Sequence, residues 1–248
     1  MPRTVALFSL GGAPGVTTLA MALASVWPEE SGAVLVEADA AGGDIGTWHR
    51  LPASPGLTDL AAASRHRQPG AGEGPGAHTQ TLPGGLAVCV APVTADRAGG
   101  AVRLLADNAP TLATGPGPAV IVDLGRLAPR SPTARLALHA DTALLVTRDD
   151  TAQLRRVKES VPAFTESFSR LRLVVVGGGE SAKEIANVMG IPVLGRIRSD
   201  DKAAAFLRGE RRISRPQRRP LFKAAATLAG RLAEPTSPVS PQPAGTAA

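Results

Sequence analysis

The chain has 248 residues, a formal net charge of +6, 44% hydrophobic residues, 3% aromatics, no tyrosine and one cysteine. A lone cysteine excludes an intramolecular disulfide and a thiolate metal cluster, and no apolar run approaches the roughly 18 residues of a membrane span. The apolar residues are mostly Ala, Val and Leu, which suits the aliphatic layers of a buried parallel sheet.

The N-terminal "MPRTVALFSLGG" is too short in its apolar part for a secretory signal and ends in glycines, so a cytoplasmic protein is expected. Val5 to Ser9 reads as a short buried strand. Residues 9–18, "SLGGAPGVTT", form a glycine-rich turn, and "TTLAMALASVW" has helical spacing at Leu19, Ala22, Leu23 and Val26. "AVLVEAD" is a second strand ending in the carboxylates Glu37 and Asp39. "RQPGAGEGPGAHTQTLPGG", about 67–85, is rich in Gly and Pro and predicts a mobile loop inside the domain. "GLAVCVAP" resumes the strand pattern, with Cys89 a packed residue and not a reactive thiol.

Further strands are expected at 119–125, 142–148, 172–179 and 191–197, separated by helices at 97–107, 131–139, 151–168, 181–189 and 201–208. "PLFKAAATLAGRLA" is a last helix, and the Pro- and Ser-rich residues 234–248 are expected to be a disordered tail. Aliphatic strands alternating with helices predict one α/β domain over 1–233, a mostly parallel central sheet of about seven to eight strands covered on both faces.

The charge is local. From Arg196 to Lys223 ten basic residues face three acidic ones, so this segment carries +7 and the remainder of the chain −1. Within it, a loop at about 208–220 displays Arg208, Arg211, Arg212, Arg215, Arg218 and Arg219. Three readings stay open: a solvated loop without a partner, a non-specific DNA contact through counter-ion release, or a contact with an acidic protein. A Pro-rich end is no amphipathic membrane anchor.

A phosphate loop needs a strand, a turn whose N–H groups point inward, and a helix whose N-terminus faces the anion. Residues 5–26 supply all three. The spacing G-x-x-x-x-G-K-[ST] would place glycine at positions 10 and 15, lysine at 16 and Ser or Thr at 17; this chain has Leu10, Gly15, Val16 and Thr17. The alternative is a glycine-rich turn needed only for tight packing. Asp39 and Asp123 fall at predicted strand ends, where ligands bind in open α/β sheets, and favour a nucleotide site.

"SLGGAPGVTTLAMALA", followed by "VLVEADAAGGD", "PAVIVDLG", "HADTALLVTRDD" and "GIPVLGRIRSDDKAAAFLRG", resembles the deviant phosphate-loop ATPases of the ParA/MinD family, most closely a divergent actinobacterial branch with a "GSPGVTT" type of loop. The resemblance spans nearly the whole chain and implies a P-loop NTPase-like three-layer sandwich. It implies ATP and Mg²⁺ as cofactors, a homodimer, and a switch used in chromosome or plasmid partitioning or in cellular positioning. The implied nucleotide-binding residues are Gly11, Gly12, Ala13, Pro14, Gly15, Val16, Thr17 and Thr18. Thr17, Asp39 and Asp123 are the implied Mg²⁺ residues, and Asp39 the catalytic residue that orients or activates water.

Two lysines of the family pattern are absent: Gly11 and Val16 stand in their places. Loss of one preorganised cation typically costs about 10²- to 10³-fold in rate, so a weak ATPase is expected unless Arg126, Arg148 or a partner's arginine takes over the neutralising charge. The other reading is a non-hydrolysing scaffold or localisation factor, like those of pilus assembly and secretion.

"VVVGGGESA" fits G-x-G-x-x-A after a strand, but too little chain follows for a dinucleotide-binding half, and a plain loop is expected. His49, His66, His78 and His139 are scattered without ligand spacing. No serine occupies a G-x-S-x-G elbow.

Overall fold

The computed structural model describes residues 3–65, 74–113, 117–179 and 181–234. An eight-stranded sheet forms the middle layer: β1 (Thr4–Ser9), β2 (Ala33–Glu37), β3 (Gln80–Thr81), β4 (Ala87–Cys89), β5 (Ala119–Arg126), β6 (Thr142–Arg148), β7 (Leu171–Val176) and β8 (Val193–Ile197). Their order across the sheet is β3-β4-β2-β5-β1-β6-β7-β8. Every pairing is parallel except that of the edge strand β3 with β4.

The helices are α1 (Val16–Ser25), α2 (Ile45–His49), α3 (Leu57–Ser64), α4 (Ala95–Asp107), α5 (Pro132–Leu138), α6 (Thr151–Ser167), α7 (Ala182–Met189), α8 (Asp201–Leu207) and α9 (Pro220–Ala233). They cover both faces. In "TVALFS", Ala6 and Phe8 join a core built with α3 to α7, while Val5 and Leu7 join one built with α1, α8 and α9. Alternation along a strand sends neighbours to opposite faces, and burial on both faces is why the four middle residues of β1, Val5 to Phe8, are all apolar. The result is the expected α/β sandwich.

Phe8 also fixes α6. Its ring lies 5.9 Å from Phe164 and 5.8 Å from Phe168, so three of the five phenylalanines tie the C-terminal half of α6 to the strand that feeds the glycine loop.

The segment expected to be a loop at 67–85 differs in its described part. A 3-10 turn at Pro75–His78 and strand β3 occupy it, and Gln80 donates to the carbonyls of Pro52 and Pro55 at 2.8 and 2.7 Å. Backbone pairing with β4 holds this polar stretch, which apolar periodicity could not reveal. Residues 66–73 and the tail 235–248 lie outside the described residues. Cys89 is completely buried, and burial pushes its thiol pKa up, as expected of a packed strand residue.

Candidate functional site

β1 lies between β5 and β6 in the sheet, and the glycine loop leaves its C-terminal end. Four loop residues have positive φ: Gly11 149°, Gly12 74°, Ala13 40° and Gly15 91°. Glycine adopts such angles without a steric penalty, whereas Ala13 does so at a cost of about 1 kcal/mol. Successive residues of this kind turn their N–H groups toward a common centre.

Among the described residues, the N–H groups of Gly11, Gly12, Ala13, Gly15, Val16, Thr17 and Thr18 have no protein acceptor. The first bond of α1 runs from the Leu19 N–H to the Gly15 carbonyl at 2.9 Å. α1 has no acidic residue in its first turn, so the positive end of its dipole faces an open, donor-rich cradle suited to an anion. Pro14 has no N–H, and the Val16 side chain packs into the same apolar core as Leu7 and Leu19. A cleft of about 170 Å³ continues from Ala13, Gly15 and Thr18 past Arg148 to Ser199 and Asp201.

Three acidic residues, Glu37, Asp39 and Asp123, lie near one another beside the cradle. Glu37 and Asp123 are register partners on β2 and β5, and the Ala38 N–H donates to the Asp123 carbonyl at 2.7 Å. Asp123 is fully buried; its Oδ1 accepts from the Gly125 N–H at 2.9 Å, and its Oδ2 has no hydrogen-bond partner. Burial pushes its pKa up to about 7, against the opposing influence of the Thr17 hydroxyl, with Glu37 and Asp39 adding to the rise. Thr17, Asp39 and Asp123 thus lie close enough to influence one another.

Asp39 accepts from the Ala41 N–H at 2.8 Å, and burial raises its pKa. Gly125, at φ 57°, lies directly under this carboxylate, where a Cβ would collide with it. Glu37 has a different task. Its Oε1 accepts from the N–H groups of Asp44 and Ile45 at 2.8 and 3.0 Å, and its Oε2 from Ala91 at 2.9 Å. It braces the turn after β2 against the end of β4, and "GGD" is small there because a Cβ at Gly42 would strike the Val93 carbonyl and one at Gly43 the Glu37 carboxylate.

Cations surround the loop from other elements. Arg148 donates from Nη2 to the Ala13 carbonyl and Arg156 from Nη1 to the Leu10 carbonyl, each at 3.4 Å. Gln153 stands over Gly12 and Arg156 over Gly11, with Arg126 beyond. Sequence reasoning reached Arg126 and Arg148 but missed Gln153 and Arg156. Their only signal was spacing, three apart on one face of α6.

The "VVVGGGESA" turn wraps a side chain. Asp149 fills the space beside Gly177, accepts from the Gly179 N–H at 2.7 Å and pairs with Arg196 at 2.6 Å. The plain-loop expectation holds for the described residues. His49 Nε2 lies 2.8 Å from the Leu207 carbonyl.

The basic segment divides. Arg208 forks onto Glu210 at 2.6 and 2.9 Å. Arg219 binds the buried Asp200 through Nη2 and, at 3.2 Å, through Nε. Asp200 also accepts from Ala203 and Leu221 N–H groups. Although burial acts to raise it, these bonds hold its carboxyl below the usual range. Arg208 and Arg219 are thus engaged internally, contrary to the expectation of six partner-facing arginines, because each has a carboxylate within reach. Arg211, Arg212, Arg215 and Arg218 make no ion pair among the described residues.

No family profile matches the sequence, and no curated protein matches it. Solved structures do. A ParA family ATPase from Chlorobium tepidum superposes with a TM-score of 0.70 at 19% identity, covering 92% of this chain and 99% of that one. The fold is that of the ParA and MinD ATPases. The septum site-determining protein MinD from Pyrococcus horikoshii, complexed with Mg-ADP, gives a TM-score of 0.71 at 16% identity, over 94% and 97% of the two chains. The apo McdA structure named for Cyanthece gives 0.63 at 15%, over 92% and 99%. The ParA/MinD-type fold places the glycine loop of this chain at the carboxyl ends of the strands, the edge where open α/β sheets take their ligands.

Proposed function

We propose that this protein is a ParA/MinD-like nucleotide-binding switch that takes ATP with Mg²⁺ on residues 11–18 and serves in partitioning or cellular positioning. The observation that carries the reading is the orphaned Oδ2 of Asp123, fully buried beside Thr17 and under a cradle of free N–H groups. A buried carboxylate oxygen without a partner is costly unless a ligand completes it.

Mg²⁺ fits there. Among the described residues no three carboxylates, imidazoles or thiols gather as a stand-alone metal site, and Mg²⁺ is ordinarily held by one or two protein groups plus substrate phosphates. Thr17 and Asp123 would hold it, with Asp39 at its edge; when bound, the cation supplies charge neutralisation at the phosphates. The backbone N–H groups bind and orient the phosphates. Asp39, its proton affinity raised by burial, is placed to accept a proton from water.

No lysine occurs in residues 10–18, which supports slow turnover and favours as second reading a non-hydrolysing scaffold. Phosphate release by the wild type and by Asp39→Ala separates them. Slow release abolished by Asp39→Ala is expected of the switch; ATP binding with no release at all would leave the scaffold.

The switch would act through a nucleotide-dependent homodimer. Arg211, Arg212, Arg215 and Arg218 are its proposed contacts to DNA or an acidic protein; Arg211 and Arg212 edge a cavity of about 410 Å³ that Leu82, Leu86, Phe206 and Phe222 also line. No helix among the described residues is long and apolar enough to cross a membrane, and a cytoplasmic setting is part of the proposal.

A further inference from the structure

We propose that Arg156 supplies the positive charge the glycine loop itself lacks, contacting the terminal phosphate of a bound nucleoside triphosphate, and that residue 11 is glycine to make room for it. The inference rests on the nucleotide reading above. Residues 10–18 contain neither lysine nor arginine, so a polyanion on this loop must be neutralised from elsewhere.

The guanidinium of Arg156 occupies the space above Gly11. A Cβ there would collide with Nη1 and come within 3.4 Å of Cζ, while Arg126 Nε lies 3.9 Å away. Arg156 is exposed and forms no ion pair among the described residues; its one hydrogen bond is the long contact, 3.4 Å, to the Leu10 carbonyl. Most of its fork of donors is therefore free for the paired oxygens of a phosphate.

The helix that carries it is anchored. Phe164 and Phe168 lock α6 onto Phe8, one residue before the end of β1, and Gln153 covers Gly12 one turn before Arg156 covers Gly11. The direction of the phosphate chain follows from the cleft, which opens from Gly15 and Thr18 toward Ser199 and Asp201 and has room for the nucleoside end. The phosphates then run back along the loop, and the last of them reaches Gly11 and Gly12. Arg156 accordingly senses the third phosphate, with little effect on the first two.

Calorimetric titration with Mg-ATP and with Mg-ADP tests this on the wild type, Arg156→Ala, Arg156→Lys, Gly11→Lys and the Gly11→Lys/Arg156→Ala double variant, each first shown to melt as a folded protein. Arg156→Ala is expected to weaken Mg-ATP by about tenfold or more, as loss of a charge-assisted bond implies, and Mg-ADP by less than about twofold. Arg156→Lys should recover part of the ATP affinity. Gly11→Lys, forced into a φ of 149° and into the space of Arg156, should weaken Mg-ATP as much as Arg156→Ala, and the double variant no further. Wild-type binding with an unchanged ATP-to-ADP ratio in Arg156→Ala overturns this inference alone. Absence of nucleotide binding by the wild type overturns it together with the reading on which it rests.

Discussion

The carboxylate of Asp39 fills the space that a side chain at position 125 would need, so residue 125, two beyond the buried Asp123, is glycine for the sake of a residue just past the end of β2. The turn after β2 thereby packs directly against β5. Gly125→Ala is expected to lower stability in urea by about 1 to 2 kcal/mol, combining a φ of 57° with the collision. In an Asp39→Ala background the same substitution should cost less, and a coupling above about 0.5 kcal/mol marks the contact. Equal losses in both backgrounds would mean that the two residues do not touch.

Asp123 stores instability at the site. Its folded pKa, about 7, lies above the ordinary 3.8, so the folded state holds a proton that the unfolded chain releases. Its contribution to stability is fully present below about pH 4 and is lost as pH rises through about 7. Asp123→Asn removes that loss, and the ligand-free variant should exceed the wild type at pH 8 by on the order of 4 kcal/mol, the gap closing toward pH 4. Chemical denaturation at the two pH values measures it, and a gap independent of pH would contradict the assignment.

Asp200 behaves in the opposite sense. Its carboxyl is held below the usual range by Arg219 and two N–H groups, so its stabilisation is present above about pH 4 and is lost as pH falls through its lowered folded value. Arg219→Ala leaves a buried carboxylate short of its cation and should lower stability at neutral pH. The variant should also lose less stability than the wild type on acidification, read from thermal melts across pH 3 to 7.

The same pairings sort the arginines by use. If DNA is the proposed partner, alanine at Arg211, Arg212, Arg215 and Arg218 together should abolish retention on it, whereas Arg208→Ala, which breaks only the exposed pair with Glu210, should leave most of it. Wild-type retention should fall steeply between low and physiological salt. Retention indifferent to salt would rule out the counter-ion mechanism.

Strands buried on both faces were legible in the sequence because continuous aliphatic runs such as those of β5, β6 and β7 need no partner to be recognised. α2 and α3 were not, since each is one or two turns long and flanked by Gly, Ser and Pro, and β3 exists only by pairing with β4. At the site, Thr17 was singled out by the phosphate-loop spacing and Asp39 and Asp123 by their place at predicted strand ends. Glu37 looked equally chemical, yet three loop N–H groups consume it. Arg156 was invisible because its contact with Gly11 joins distant parts of the chain, and Arg219 looked free because its carboxylate partner, Asp200, is 19 residues away.

Nucleotide occupancy of the glycine loop is tested most directly by calorimetric titration of the wild-type chain with ATP, with and without Mg²⁺. Saturable, one-to-one binding that Mg²⁺ strengthens and that Asp123→Asn weakens is the predicted result. A folded protein that takes up no ATP in the presence of Mg²⁺ would contradict the account.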